Sequence, residues 1–169
     1  MHKFNKINLI MKIKVFTFLV ILAPNINAVR AAQYESNSAN PLVITKVISL
    51  PDGTTYSSLD STGAGTNNFG IYEILNCAGH RISKENKLKE QRFFCNVELS
   101  NGHFYSFLLY RSDTDTDSGV GYAIMAGGSK PFEKIKDKKC RYAVSFYKNQ
   151  AFVKLKCKVS EEFVKEITK

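Results

Sequence analysis

Apolar and polar residues alternate with period two over several stretches, the signature of half-buried strands. Over 93–99, Phe93, Cys95, Val97 and Leu99 share one side. Asn101-Gly102 then supplies hairpin chemistry, since Asn-Gly tolerates positive φ, and 103–110 reads as the returning strand. A second hairpin runs over 141–147, turns at Lys148-Asn149-Gln150 and returns over 151–157. On that return Val153, Leu155 and Cys157 face one way and Lys154, Lys156 and Lys158 the other. Residues 42–50 are β-prone, and Pro51-Asp52-Gly53 turns them into a strand or hairpin returning through Tyr56. The Ser/Thr/Gly/Asn text of 57–68 reads as loop, 70–77 as a short strand, and 84–91 as a helix capped by Ser83. The stretch after Arg111 reads as a polar loop with a short apolar interruption at 122–125. Ser160 opens a C-terminal helix with Glu161 and Glu162 in its first turn. These elements predict an α+β fold: one short helix packed on an antiparallel β-sheet, with a short C-terminal helix.

The front of the chain follows a different pattern. Lys3, Lys6, Lys12 and Lys14 precede a nine-residue apolar run, 15–23, then Pro24 and small residues. That order predicts a signal peptide over 1–28, with cleavage after Ala28 or Ala31. The run is too short to span a bilayer, and no later stretch is long enough. The expected product is a secreted monomer with no membrane attachment. Residues 29–69 read as an N-terminal extension, 70–159 as the main domain and 160–169 as the terminal helix.

Cleavage would remove four lysines and no acid, taking the formal charge from +9 to +5. Four cysteines, Cys77, Cys95, Cys140 and Cys157, read as two disulfides in an exported chain. Their spacing fits no zinc pattern. Asp113, Asp115 and Asp117 resemble a calcium loop, but Ser118 and Ile124 stand where Gly and a bidentate Glu are needed. No metal or cofactor is expected.

The strongest chemical signal is basic. Residues 130–158 hold ten Lys or Arg against Glu133 and Asp137. Tyr142, Phe146, Tyr147 and Phe152 interleave with them. Cations attract phosphates and aromatics stack bases, so Arg141, Lys154, Lys156, Lys158, Tyr142 and Phe152 are candidate RNA-binding residues. His80 and His103 fall in predicted turns, without a nucleophile motif around them.

Three stretches together resemble one family. Tyr72 with Cys77-Ala-Gly79-His80-Arg81-Ile82-Ser83 looks like the opening of secreted fungal guanyl-preferring ribonucleases. Tyr105-Ser106-Phe107-Leu108-Leu109 is similar to their central strand, and the 137–146 hairpin with 149–155 to their last one. Their order resembles the RNase-like secreted effectors of powdery mildew fungi. The resemblance implies a microbial ribonuclease-like fold over 70–159. It puts Ser106 where the base should be and Cys157 where the acid should be; only Arg141 matches. It therefore implies a non-catalytic effector that binds host RNA, ribonucleoprotein or host proteins. The alternatives are an active ribonuclease using His80, His103 or Glu98, and a small secreted adhesion or inhibitor domain. The expected pairing is Cys77–Cys157 and Cys95–Cys140, one of three connectivities that four cysteines allow.

Overall fold

Period-two alternation extends far beyond the segments that display it plainly. A computed structural model describes residues 32–169; the expected signal peptide lies outside the described residues. Nine strands follow in order: β1 (Ala32–Ser49), β2 (Thr54–Asn67), β3 (Tyr72–Lys84), β4 (Lys87–Leu99), β5 (Phe104–Arg111), β6 (Thr114–Asp115), β7 (Ser118–Gly128), β8 (Lys139–Tyr147) and β9 (Gln150–Val159). Two short helices, α1 (Lys130–Glu133) and α2 (Glu161–Ile167), complete the chain. The sheet order is β3-β2-β1-β9-β8-β7-β5-β4, and β4 pairs back onto β3. All these pairings are antiparallel, so eight strands close an up-and-down barrel. The two-residue β6 adds only a patch on the start of β4.

The α+β expectation, and with it the ribonuclease-like plan, is overturned by this closure. The error has three local causes, the first being the stretch after Arg111, which reads as a polar loop but forms β7 with Ala123 and Met125 facing inward. Residues 84–91 form no helix: Glu85 and Asn86 both take positive φ, 51° and 61°, and make a two-residue turn between β3 and β4. Charge at Lys84, Glu85, Lys87 and Lys89 imitated a helix, yet Leu88, Gln91, Phe93 and Cys95 alternate inward after a bulge. The Ser/Gly-rich 57–68 stretch is mostly strand because its inward positions face a crowded neighbour. Gly63 lies against the Asn40 side chain, and a Cβ there would overlap it. The hairpins at 51–53, 100–102 and 148–149 and the C-terminal helix form as expected. Ser160 Oγ caps that helix by accepting from the Phe163 amide at 3.2 Å.

The helices close the lower mouth of the barrel. Phe132 of α1 stacks on Tyr105 at 4.3 Å between centroids and meets Phe163 of α2 edge-on at 5.2 Å. Tyr34 packs edge-on against Phe132, Phe163 and Tyr105. Beneath this plug a polar knot holds Glu73, whose carboxylate accepts from Ser36, Tyr34 and Asn67. Most of the remaining interior is filled by apolar side chains, chiefly from β4, β5 and β7–β9, with Ser38, Asn40, Ser61, Gln91 and Arg111 as buried polar residues. A cavity of about 40 Å³ remains near Ser38, Asn40 and Tyr142, room for a water or two. That is far below the several hundred Å³ of a small-molecule site.

The disulfide pairing also differs from expectation. Cys77 bonds Cys95 across β3–β4, and Cys140 bonds Cys157 across β8–β9. In the barrel two strands lie between β3 and β9, and two between β4 and β8. Three strand spacings of ~4.8 Å exceed the ~7 Å Cα separation a disulfide tolerates. The actual pairs sit directly opposite, 4.1 and 4.8 Å apart at Cα.

Non-reducing peptide mapping should therefore return Cys77–Cys95 and Cys140–Cys157. Each closes a short loop, so replacing either pair with alanines should cost about 3 kcal/mol on the chain-entropy account. Mixed pairs in the map would contradict the barrel.

Burial raises the Glu73 carboxyl above its usual range, against the hydrogen bonds from Ser36, Tyr34 and Asn67 that lower it. The folded state then keeps its proton to higher pH than the unfolded chain. Its contribution is greatest below the ordinary carboxylate pKa and is lost as pH rises through the elevated one. Glu35, Asp52, Glu90 and Glu166 have lowered values and act below that window, with the opposite sign. Urea midpoints of the parent should fall as pH rises above the ordinary carboxylate range, and Glu73→Gln should flatten the decline. Parallel profiles would exclude Glu73 as its source.

Candidate nucleic-acid interface

On the outer wall the barrel register lines up residues from six strands. Arg92 on β4 pairs with Tyr110 on β5, and Tyr110 with Tyr122 on β7. Tyr122 pairs with Arg141 on β8, Arg141 with Lys156 on β9, and Lys156 with Glu35 on β1. The row reads cation, aromatic, aromatic, cation, cation, acid. Lys154, opposite Ala143, extends it one step up the barrel, and Lys158 one step down.

A groove of about 450 Å³ runs along this row, lined by Tyr110, Tyr122, Arg141, Lys154 and Lys156. Gly121 forms part of its wall, and a Cβ there would come within 2.6 Å of the Tyr142 ring. The volume falls in the range of known ligand sites. Arg92 lies over the Tyr110 ring at 5.4 Å and Lys139 over Tyr122 at 3.5 Å. These contacts fix the two tyrosine faces next to positive charge. Glu35 is the opposing charge: its two oxygens each lie 3.0 Å from an ammonium, Lys154 and Lys156. Those contacts hold its carboxyl below the usual range, the hydrogen bond from Lys154 contributing most.

Of the sequence candidates, Arg141, Lys154, Lys156, Lys158 and Phe152 all reach the outer wall. Phe152 is 49% exposed and lies above the groove beside Val153 and Lys154. Tyr142 does not join them. It shares parity with Val144, points into the barrel and is 2% exposed. Burial pushes its hydroxyl up to about 12. Sequence reasoning missed Arg92, Tyr110 and Tyr122. They lie 32 to 66 residues from the lysines, and only the register brings them alongside.

The residues considered for ribonuclease chemistry are dispersed. Ser106 donates to Asn96 on the outer face, 2.7 Å away. Cys157 is in a disulfide inside the barrel. His103 bonds Ser129 Oγ at 3.0 Å and meets the Glu166 carbonyl at 3.3 Å, at the lower rim. His80 does meet a carboxylate: its Nε2 lies 3.0 Å from Glu90 Oε1, with Arg92 Nε 3.2 Å from that same oxygen. Glu90 and His80 are thus paired with each other, and Arg92 shares the same carboxylate oxygen. Among the described residues no His/Cys/Asp/Glu group could hold a metal ion.

Compared with family models, with characterised proteins and with solved structures, the chain matches none of them. The two disulfides accord with an extracellular protein.

The carboxylate of Glu35 competes with any anionic ligand for Lys154 and Lys156. Glu35→Gln should tighten polyanion binding and steepen the log–log salt slope by roughly 0.7 for each additional phosphate engaged on a single strand. Filter-binding titrations at several salt concentrations would show it; an unchanged slope would mean that these two lysines do not engage the ligand.

Proposed function

We propose that this chain is an exported, non-catalytic β-barrel that binds single-stranded RNA along its basic outer wall. The observation that carries the reading is the convergence of Arg141, Lys154 and Lys156 with the tyrosines Tyr110 and Tyr122 on one groove. Each partner supplies a different part of single-strand affinity. The cations attract backbone phosphates without regard to sequence, and the tyrosine rings, on the side that Arg92 and Lys139 do not cover, offer stacking of ~1–3 kcal/mol per base. The basic front of the chain and its disulfides support export. The filled interior argues against carriage of a ligand inside the barrel.

Binding of a single-stranded RNA oligomer should weaken steeply with salt. Engagement of about four phosphates gives a log–log slope near −3. Changing Lys154, Lys156 and Lys158 together to Ala should weaken every RNA sequence about equally, because phosphate contacts carry no base information. Tyr122→Ala should cost a further ~1–3 kcal/mol and leave the slope unchanged. Salt-independent binding, or a triple variant that binds like the parent, would refute the proposal.

The ribonuclease alternative rests on the His80–Glu90 contact. Under the binding reading, purified protein releases no cyclic guanylate ends from RNA above the buffer rate. Cleavage that disappears in His80→Ala would replace binding with catalysis as the function.

A further inference from the structure

The upper mouth of the barrel encloses two arginines, Arg81 and Arg111, of which only Arg111 also borders the outer groove. Arg111, the last residue of β5, points inward and is 1% exposed. Arg81, near the end of β3, is half-buried beside it. Both guanidinium groups stand over the Phe146 ring, at 4.9 Å for Arg81 and 5.6 Å for Arg111. Both donate through Nη2 to one oxygen, Gln91 Oε1, at 3.4 and 3.1 Å. The two cations are thus held side by side by a neutral amide.

Two like charges placed this way need an anion. A buried ion pays several kcal/mol of desolvation unless it is paired and fully hydrogen-bonded. Among the described residues no carboxylate lies within 4.0 Å of either guanidinium. Asp117 acts on Arg81 only through space. Arg111 Nη1 reaches a backbone carbonyl, that of Asp115, at 3.3 Å. The Nε atoms of both arginines and the hydroxyl of Tyr142 are buried with no hydrogen-bond partner. Desolvation lowers both arginine pKa values, and their mutual repulsion lowers that of Arg111 further. Gly119 leaves the room the group needs, since a Cβ there would come within 2.7 Å of Arg111 Nη1.

We infer that the upper mouth is a binding site for one small phosphate-type oxyanion, held between Arg81 and Arg111. Its donors are the two unpaired Nε–H groups and the Tyr142 hydroxyl. Guanidinium forks match phosphate oxygens in pairs, and two of them balance a dianion. The half-buried Arg81 is the side from which the ion enters. Arg111 and Tyr142 also back the outer groove, whereas Arg81 does not, so Arg81 is the residue that separates phosphate binding here from RNA binding there.

The test is a phosphate titration of the disulfide-bonded protein, with sodium chloride adjusted to keep ionic strength constant. Thermal midpoint and the phosphorus-31 line are the readouts. In the parent, inorganic phosphate should raise the midpoint progressively and broaden the line saturably. Arg81→Gln, at a half-buried position that tolerates the change, should weaken phosphate roughly 10–100-fold, the loss of one charge-assisted donor set. Arg111→Gln should abolish binding. Arg81→Gln should also leave the salt-dependent RNA affinity at its parent value, so failure of one site is distinguishable from failure of the other. A second arm uses glycerol phosphate. Tighter binding of the ester assigns the site to a phosphomonoester end, and equal binding to the free ion. A parent whose midpoint and phosphorus line ignore both probes would overturn the inference. So would an Arg81→Gln variant that binds phosphate as tightly as the parent.

Discussion

Ten residue pairs join β1 to β9, from Ala32–Val159 to Pro41–Gln150, and the remaining structure depends on them. An open eight-stranded sheet would leave two rows of unpaired amides and carbonyls at its edges. Closure removes both rows along the barrel proper and turns every alternating side chain either into the lumen or onto the wall. The seam is tied from inside as well. Tyr34 lies opposite Cys157, whose disulfide to Cys140 binds β9 to β8, and the Tyr34 ring sits under the helical plug. Covalent and aromatic contacts therefore converge on the same end of the seam.

Enclosure has a chemical consequence at each end. Polar residues that would be unremarked on an open sheet become buried groups that need partners. At the lower end Glu73 finds three donors, so its burial is largely compensated. At the upper end Arg81 and Arg111 share one amide oxygen and keep unpaired Nε–H groups. The lower knot is a structural solution, and the upper pair is a site for an ion from outside. Between them the lumen keeps only a cavity of about 40 Å³.

The sequence displayed the strands whose alternation is apolar against charged: the 93–110 hairpin, the 141–157 hairpin and the lysine face of β9 were legible. It concealed β2, the first half of β4, and β7, whose glycines Gly119, Gly121, Gly127 and Gly128 interrupt the apolar alternation. In β2 the inward residues Ser61, Gly63 and Asn67 are small or polar, so the period-two signal lacks hydrophobic contrast. At the start of β4 a bulge breaks the alternation, and the lysines around Glu85-Asn86 look helical. Without those three segments the strands are too few to close, and an α+β plan with its ribonuclease resemblance follows naturally. The basic half of the groove was legible because Arg141 and the lysines fall on one hairpin. Its aromatic half was not, because Tyr110 and Tyr122 reach it only through the β5–β7–β8 register. Tyr142 was misplaced by one unit of parity, the whole difference between wall and lumen.

The barrel also carries an unguarded extension. Beyond Pro41, β1 has no β9 partner, and Val43, Ile44, Val47, Ile48 and Leu50 are exposed on the projecting β1–β2 hairpin. It is a second exposed surface, apolar where the outer groove is basic. The direct measurement is an amide chemical-shift map of the isotopically labelled protein titrated with a single-stranded RNA oligomer at low salt. The account predicts perturbations concentrated on β5, β7, β8 and β9, centred on Tyr110, Tyr122, Arg141 and Lys156, and disappearing as salt is raised. Perturbations confined to the β1–β2 hairpin, or none at low salt, would contradict it.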